Sequence, residues 1–153
     1  LGTGKSLLRQ TYERFLQVCP SDHIFIVTNE QYRDLVKEHL PELSDQQILC
    51  EPSRNNTAPC ITYAALKLHK INPEATMVVA PSDHLITNES AFAEQIKQAA
   101  NFATRQDALL TLGIQPFQPH TGYGYIQYQK TATEAGIHRV NAFTEKPDQP
   151  TAQ

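Results

Sequence analysis

Apolar residues recur at helical spacing over residues 6–18, at Leu8, Tyr12, Phe15 and Leu16, and predict a first helix there. Residues 23–28 form a short β-branched and aromatic run, the mark of a strand. Thr28-Asn29-Glu30-Gln31 then has the form of a capping box and opens a helix to about Leu40, stopped by Pro41. A second short strand is predicted over 47–50. Asn56-Thr57 can cap a further helix with Pro59 in its first turn, where a missing N–H is harmless, and with Ile61, Ala64, Ala65 and Leu68 as its buried stripe. The continuous apolar run 76–80 predicts a buried central strand ending at Pro81. Asn88 or Ser90 caps a long helix with Phe92, Ile96, Ala99 and Ala103 on one face, and 108–114 predicts another strand.

Helix and strand thus alternate up to Ile114, which argues for a mainly parallel, Rossmann-like α/β sheet with helices on both faces. Past Gln115 the alternation stops. Residues 124–130 and 137–144 read as strands with no helix between them, an antiparallel excursion near the C-terminal end.

The chain has 153 residues, 40% apolar and 19% charged, the composition of a globular domain. A net charge of −3 argues against nucleic acid as a partner but not against a small phosphorylated ligand. No apolar run approaches the roughly 20 residues of a membrane helix, and no signal peptide is visible, so a cytoplasmic location is expected. Cys19, Cys50 and Cys60 are widely spaced, with no zinc-type pairing, and read as reduced thiols. The first residue is Leu1 and the pattern begins in mid-element, so 1–153 is read as a partial domain truncated at both ends.

In open parallel sheets, ligands bind beyond the carboxyl ends of the strands. That rule singles out three polar segments: 51–57, Pro81-Ser82-Asp83-His84, and 115–124. A carboxylate such as Asp83 at such a place is a hard-cation ligand suited to magnesium; the competing role is a turn or helix cap. Glu51 can accept both the ring N–H and the 2-amino donors of guanine, and Asn56 and Thr57 lie at a helix start that favours phosphate; the alternative is a polar loop with a capping Asn. Thr121-Gly122-Tyr123-Gly124-Tyr125 allows close backbone approach with aromatic neighbours, or simply turns between strands. Glu145-Lys146-Pro147 offers a hydroxyl acceptor and a point charge for phosphate, or a charged strand end. Gly4-Lys5-Ser6 has the form of the end of a P-loop, without the preceding strand that motif requires.

Together these segments resemble the mannose-1-phosphate guanylyltransferases of the sugar nucleotidyltransferase superfamily. The matching pieces are Gly4-Lys5-Ser6-Leu7-Leu8-Arg9-Gln10-Thr11, Glu51-Pro52-Ser53-Arg54-Asn55-Asn56-Thr57-Ala58-Pro59, Val79-Ala80-Pro81-Ser82-Asp83-His84, Thr111-Leu112-Gly113-Ile114, Thr121-Gly122-Tyr123-Gly124-Tyr125-Ile126 and Phe143-Thr144-Glu145-Lys146-Pro147. They stand in family order along the whole chain. The resemblance implies transfer of GMP from GTP to mannose 1-phosphate, with Mg2+ held by Asp83. It implies a nucleotide site at Glu51, Asn56, Thr57, Pro81, Ser82 and Asp83. It implies a sugar site at Gly122, Tyr123, Gly124, Glu145 and Lys146, with Asp83 and Lys146 serving catalysis. A homodimer is compatible with it. The family's Gly-rich loop with its Arg and Lys is not among these residues. Two other expectations stay open: transfer to a different sugar 1-phosphate, including within a bifunctional enzyme, and an inactive nucleotide-sugar-binding subunit of the same fold.

Overall fold

The structure is a computed structural model and describes residues 4–53, 56–134 and 136–152. The chain divides into two compact units, one running to Asp107 and the other starting at Ala108.

The first unit opens with helix α1 (Leu7–Phe15), capped by Ser6, whose hydroxyl accepts from the Arg9 N–H at 3.2 Å. The helix ends sooner than the apolar spacing predicts. Cys19 precedes Pro20, and a residue before proline is driven out of the helical region. Strand β1 (Ile26–Asn29) leads through a single tight turn, Glu30–Tyr32, into α2 (Arg33–His39). The cap there is Asn29, not Thr28, and its side chain accepts from Gln31 N. A capping box does occur, but at Ser44 and Gln47. Strand β2 (Ile48–Glu51) pairs with β1 in parallel, in a register from Ile26↔Ile48 to Asn29↔Glu51. Helix α3 (Thr57–Ile71) follows, with Pro59 in its first turn and Ala64 buried, and α4 (Glu89–Ala103) is capped by Asn88 and buries Ala93 and Ile96.

The core of this unit gathers Tyr12, Ile24, Leu40 and Leu43, with Leu8, Phe15, Cys19 and Ile26 packed around them. Leu40 is fully buried. Arg9 fastens α1 over the end of α2: its guanidinium donates to the His39 carbonyl at 2.7 and 3.0 Å and pairs with Glu42. Gln47 Nε2 donates to the Ser21 and Ile24 carbonyls, which fixes the approach to β1.

The expected strands at 76–80 and 108–114 are not formed. Both segments lack strand pairing, and Val78, Val79, Leu109, Leu112 and Ile114 are exposed. A run of apolar residues states what a segment can do; a strand exists only where a neighbour takes its N–H and C=O groups. Neither segment has such a neighbour among the described residues. Asp83 therefore sits on an exposed loop rather than at the end of a buried strand. The α/β class, with a parallel pair flanked by helices, and the antiparallel excursion are both borne out.

In the second unit, β3 (Gly124–Glu134) and β4 (Ile137–Glu145) form an antiparallel hairpin, regular from Gly124↔Glu145 to Gln127↔Ala142 and irregular beyond. A short helix α5 (Gln149–Ala152) follows.

Candidate functional site

In the first unit, Glu51 ends β2, half-buried, and α3 packs against that strand. Its charge is felt at Cys60 in the first turns of α3, whose thiol is pushed up by burial first and by Glu51 second. Glu51 is thus near the start of α3, as the sequence led one to expect. Asn56, immediately before that helix, has φ 66° and ψ −168°, a conformation that L residues rarely take, and makes no side-chain cap bond. Arg54 and Asn55 of the same motif lie outside the described residues.

Pro81, Ser82 and Asp83 are exposed. The Asp83 carboxylate makes no hydrogen bond or ion pair among the described residues, so neither capping nor a salt bridge uses it. The helix beyond is capped by Asn88 instead. The backbone of the loop, by contrast, is held: Thr11 Oγ1 donates to the Ser82 carbonyl at 3.1 Å. No hydrogen bond joins Glu51 to Asp83 among the described residues.

In the second unit the paired ends of the hairpin bring the other five predicted residues together. Gly124 faces Glu145 across the ladder, and the Lys146 N–H donates to the Tyr123 carbonyl at 3.2 Å. Glu145 Oε2 lies 2.9 Å from where a Cβ on Gly124 would stand, and Lys146 Nζ is 3.7 Å from Glu145 Oε1. Both charged side chains are mostly exposed. Lys146 has φ 44°. Among the described residues Asn56 and Lys146 are the non-glycine positions with positive φ, and both are predicted site residues. Such conformations cost on the order of 1–3 kcal/mol and gather at functional sites.

Sequence reasoning missed His120. Its ring lies against Tyr123 with centroids 4.5 Å apart, its Nδ1 accepts from the Gly122 N–H at 3.0 Å, and its own N–H donates to Tyr125 Oη at 2.9 Å. A Cβ on Gly122 would stand 2.9 Å from this ring. Nδ1 is the acceptor, so the neutral ring carries its proton on Nε2. A lone His two residues before a glycine carries no pattern that would have revealed this.

A cavity of about 280 Å³ in the first unit is lined by Lys5, Ser6, Arg9, Glu13 and their neighbours and includes none of the predicted site residues. Lys5 there is tied to Glu13 at 2.6 Å and Ser6 caps α1, so Gly4-Lys5-Ser6 serves the helix start rather than a phosphate loop.

The nucleotidyl transferase family model matches residues 1–153, and the chain belongs to that family. Members of this family generally use a divalent metal ion. The chain is 39% identical over 160 residues to a mannose-1-phosphate guanylyltransferase of Salmonella montevideo, covering 100% of this chain and 33% of that protein. It is 41% identical over 150 residues to the xanthan biosynthesis protein XanB of Xanthomonas campestris pv. campestris (strain B100), covering 97% and 31%. With the alginate biosynthesis protein AlgA of Pseudomonas aeruginosa it shares 37% identity over 131 residues, covering 84% and 27%. The chain spans about a third of the length of the curated relatives it matches. No helix among the described residues is long and apolar enough to cross a membrane.

Proposed function

We propose that the protein transfers GMP from GTP to mannose 1-phosphate, giving GDP-mannose and diphosphate. The observation that carries this reading is Asp83: an exposed carboxylate, without a partner among the described residues, on a loop whose backbone is held by Thr11. The names and identities of the relatives point the same way.

The donor set fits magnesium. No group of three or more His, Cys, Asp or Glu side chains that could hold a metal occurs among the described residues. One free carboxylate suits an ion that takes its other ligands from phosphate oxygens and water. When bound, the ion neutralises charge on the phosphates.

The chain's own residues have the remaining work. Glu51 accepts from the two donors on the guanine edge. The first N–H groups of α3 offer donors to the nucleotide. The backbone at Gly122 and Gly124 admits the sugar, Glu145 takes its hydroxyls, and the Lys146 ammonium faces its phosphate. A phosphate oxygen of mannose 1-phosphate forms a bond to the α-phosphorus of GTP, and the bond from that phosphorus to the departing diphosphate breaks. No protein nucleophile takes part; positioning and charge neutralisation suffice. In this reading the ion is magnesium and the compartment the cytoplasm.

The test is Asp83→Ala in the intact protein. Turnover is expected to vanish while the circular dichroism spectrum is unchanged. A variant as fast as the parent contradicts the role given to Asp83.

A further inference from the structure

Helix α1 carries three side chains on one face, Thr11, Arg14 and Phe15, spaced as neighbours on a helix surface. Thr11 reaches the loop that holds Asp83, and Arg14 and Phe15 reach helix α4, which that loop leads into. Thr11 Oγ1 donates to the Ser82 carbonyl at 3.1 Å. Arg14 Nη1 donates to Thr11 Oγ1 at 3.4 Å, and Arg14 Nε donates to Glu89 Oε1 at 3.3 Å, at the start of α4. Phe15 packs edge-on against Phe92, with centroids 5.9 Å apart, and the Arg14 guanidinium lies over the same ring. Arg14 is 2% exposed and Thr11 8%. A buried arginine is costly unless its donors are used. Here one donor goes to Thr11, which itself holds Ser82, and another to Glu89, at the far end of the loop that runs from Ser82 to Glu89.

The geometry points to Thr11 as a positioning residue for Asp83, with Arg14 behind it. This rests on the reading of Asp83 as the metal carboxylate. The carbonyl that Thr11 holds belongs to the planar peptide that leads into Asp83, so fixing it fixes the plane from which the Asp83 side chain departs. Donor bonds in series, Arg14 to Thr11 to Ser82, polarise and strengthen one another. The loop needs such support because its side chains from Ser82 to Leu85 are exposed and, among the described residues, no strand leads into it.

The experiment compares Thr11→Val, which keeps the shape and removes the hydroxyl, with Thr11→Ser, which keeps the hydroxyl. The intact protein is used, with Asp83→Ala alongside. Two quantities are read: Mn2+ binding in the presence of GTP, by electron paramagnetic resonance, and steady-state kinetics. Thr11→Val is expected to raise the Mn2+ half-saturation about tenfold and to lower kcat about tenfold, with KM for GTP within about twofold of the parent. Thr11→Ser is expected to restore both. A parental Mn2+ half-saturation in Thr11→Val, with binding lost in Asp83→Ala, overturns the positioning role and leaves the Asp83 reading standing. Parental Mn2+ binding in Asp83→Ala overturns the reading itself. If Thr11→Val does not fold, Thr11→Ala takes its place with the same expected shifts. If that does not fold either, the hydroxyl serves the fold alone and the positioning role is overturned.

Discussion

Leu40 offers the sharpest check on how the first unit is built. It follows α2, has no exposed surface, and lies against Tyr12, Ile24 and Leu43, so it joins α1 to the entry of β1. Leu40→Ala removes most of a fully buried isobutyl group. The lost transfer free energy is about 2 kcal/mol. The surroundings cannot close the space without moving α1, which Arg9 pins to the His39 carbonyl. A residual cavity adds roughly 24 cal/mol per Å³, which brings the expected loss to about 3–4 kcal/mol. Leu35, 48% exposed on α2, is the control, and Leu35→Ala is expected to cost under about 0.5 kcal/mol. Equilibrium urea denaturation reads both. Leu40→Ala should move the midpoint well below the parent at an unchanged slope, while Leu35→Ala stays near it. Equal midpoints for the two variants would refute the packing described here.

Three further outcomes follow. Glu51→Gln should lower the preference for GTP over ATP by about tenfold or more in kcat/KM, since the amide replaces one of the two acceptor oxygens with an NH2 donor that opposes a guanine donor; an unchanged preference removes Glu51 from base choice. Arg9 holds the Glu42 carboxyl below its ordinary 4.5, by a hydrogen bond first and by charge as well. A depressed carboxyl contributes stability that is present above the ordinary value and lost as pH falls through the lowered one. Arg9→Met should move the Glu42 titration, followed by NMR, back towards 4.5 and flatten the fall in stability on the acid side; an unmoved titration shows that Arg9 is not the cause. Asn56→Gly should raise stability by about 1 kcal/mol by relieving the positive φ, while weakening GTP binding; a loss of stability shows that the conformation is not strained.

How far the sequence could be read depended on whether each signal was local. The Asn88 cap and the first-turn Pro59 depend on neighbours a few residues away, and α3 and α4 stand close to where those residues place them, while the cap expected at Thr28 falls on Asn29 and α1 stops at Phe15 rather than at residue 18. The hairpin was legible because alternation from Gly124 and from Ile137 faces its own partner across a short turn. The runs at 76–80 and 108–114 were misread because pairing is decided by distant segments, which no local pattern contains. At the site, Gly124, Glu145 and Lys146 came from the motifs and are drawn together by strand register. Thr11, Arg14 and His120 were invisible for a related reason. Polar residues on a helix or before a turn read as solvated, and only the fold shows that Thr11 and Arg14 face the 82–89 loop and that His120 receives the Gly122 N–H.

The central claim is nucleotidyl transfer to a sugar phosphate, and diphosphate release by the intact protein tests it most directly. The assay pairs each nucleoside triphosphate with each of several sugar 1-phosphates, with and without magnesium. Release is expected to be fastest with GTP and mannose 1-phosphate and to stop when the metal is chelated. No release with any pair, or a clear preference for another nucleotide or another sugar phosphate, would contradict the account.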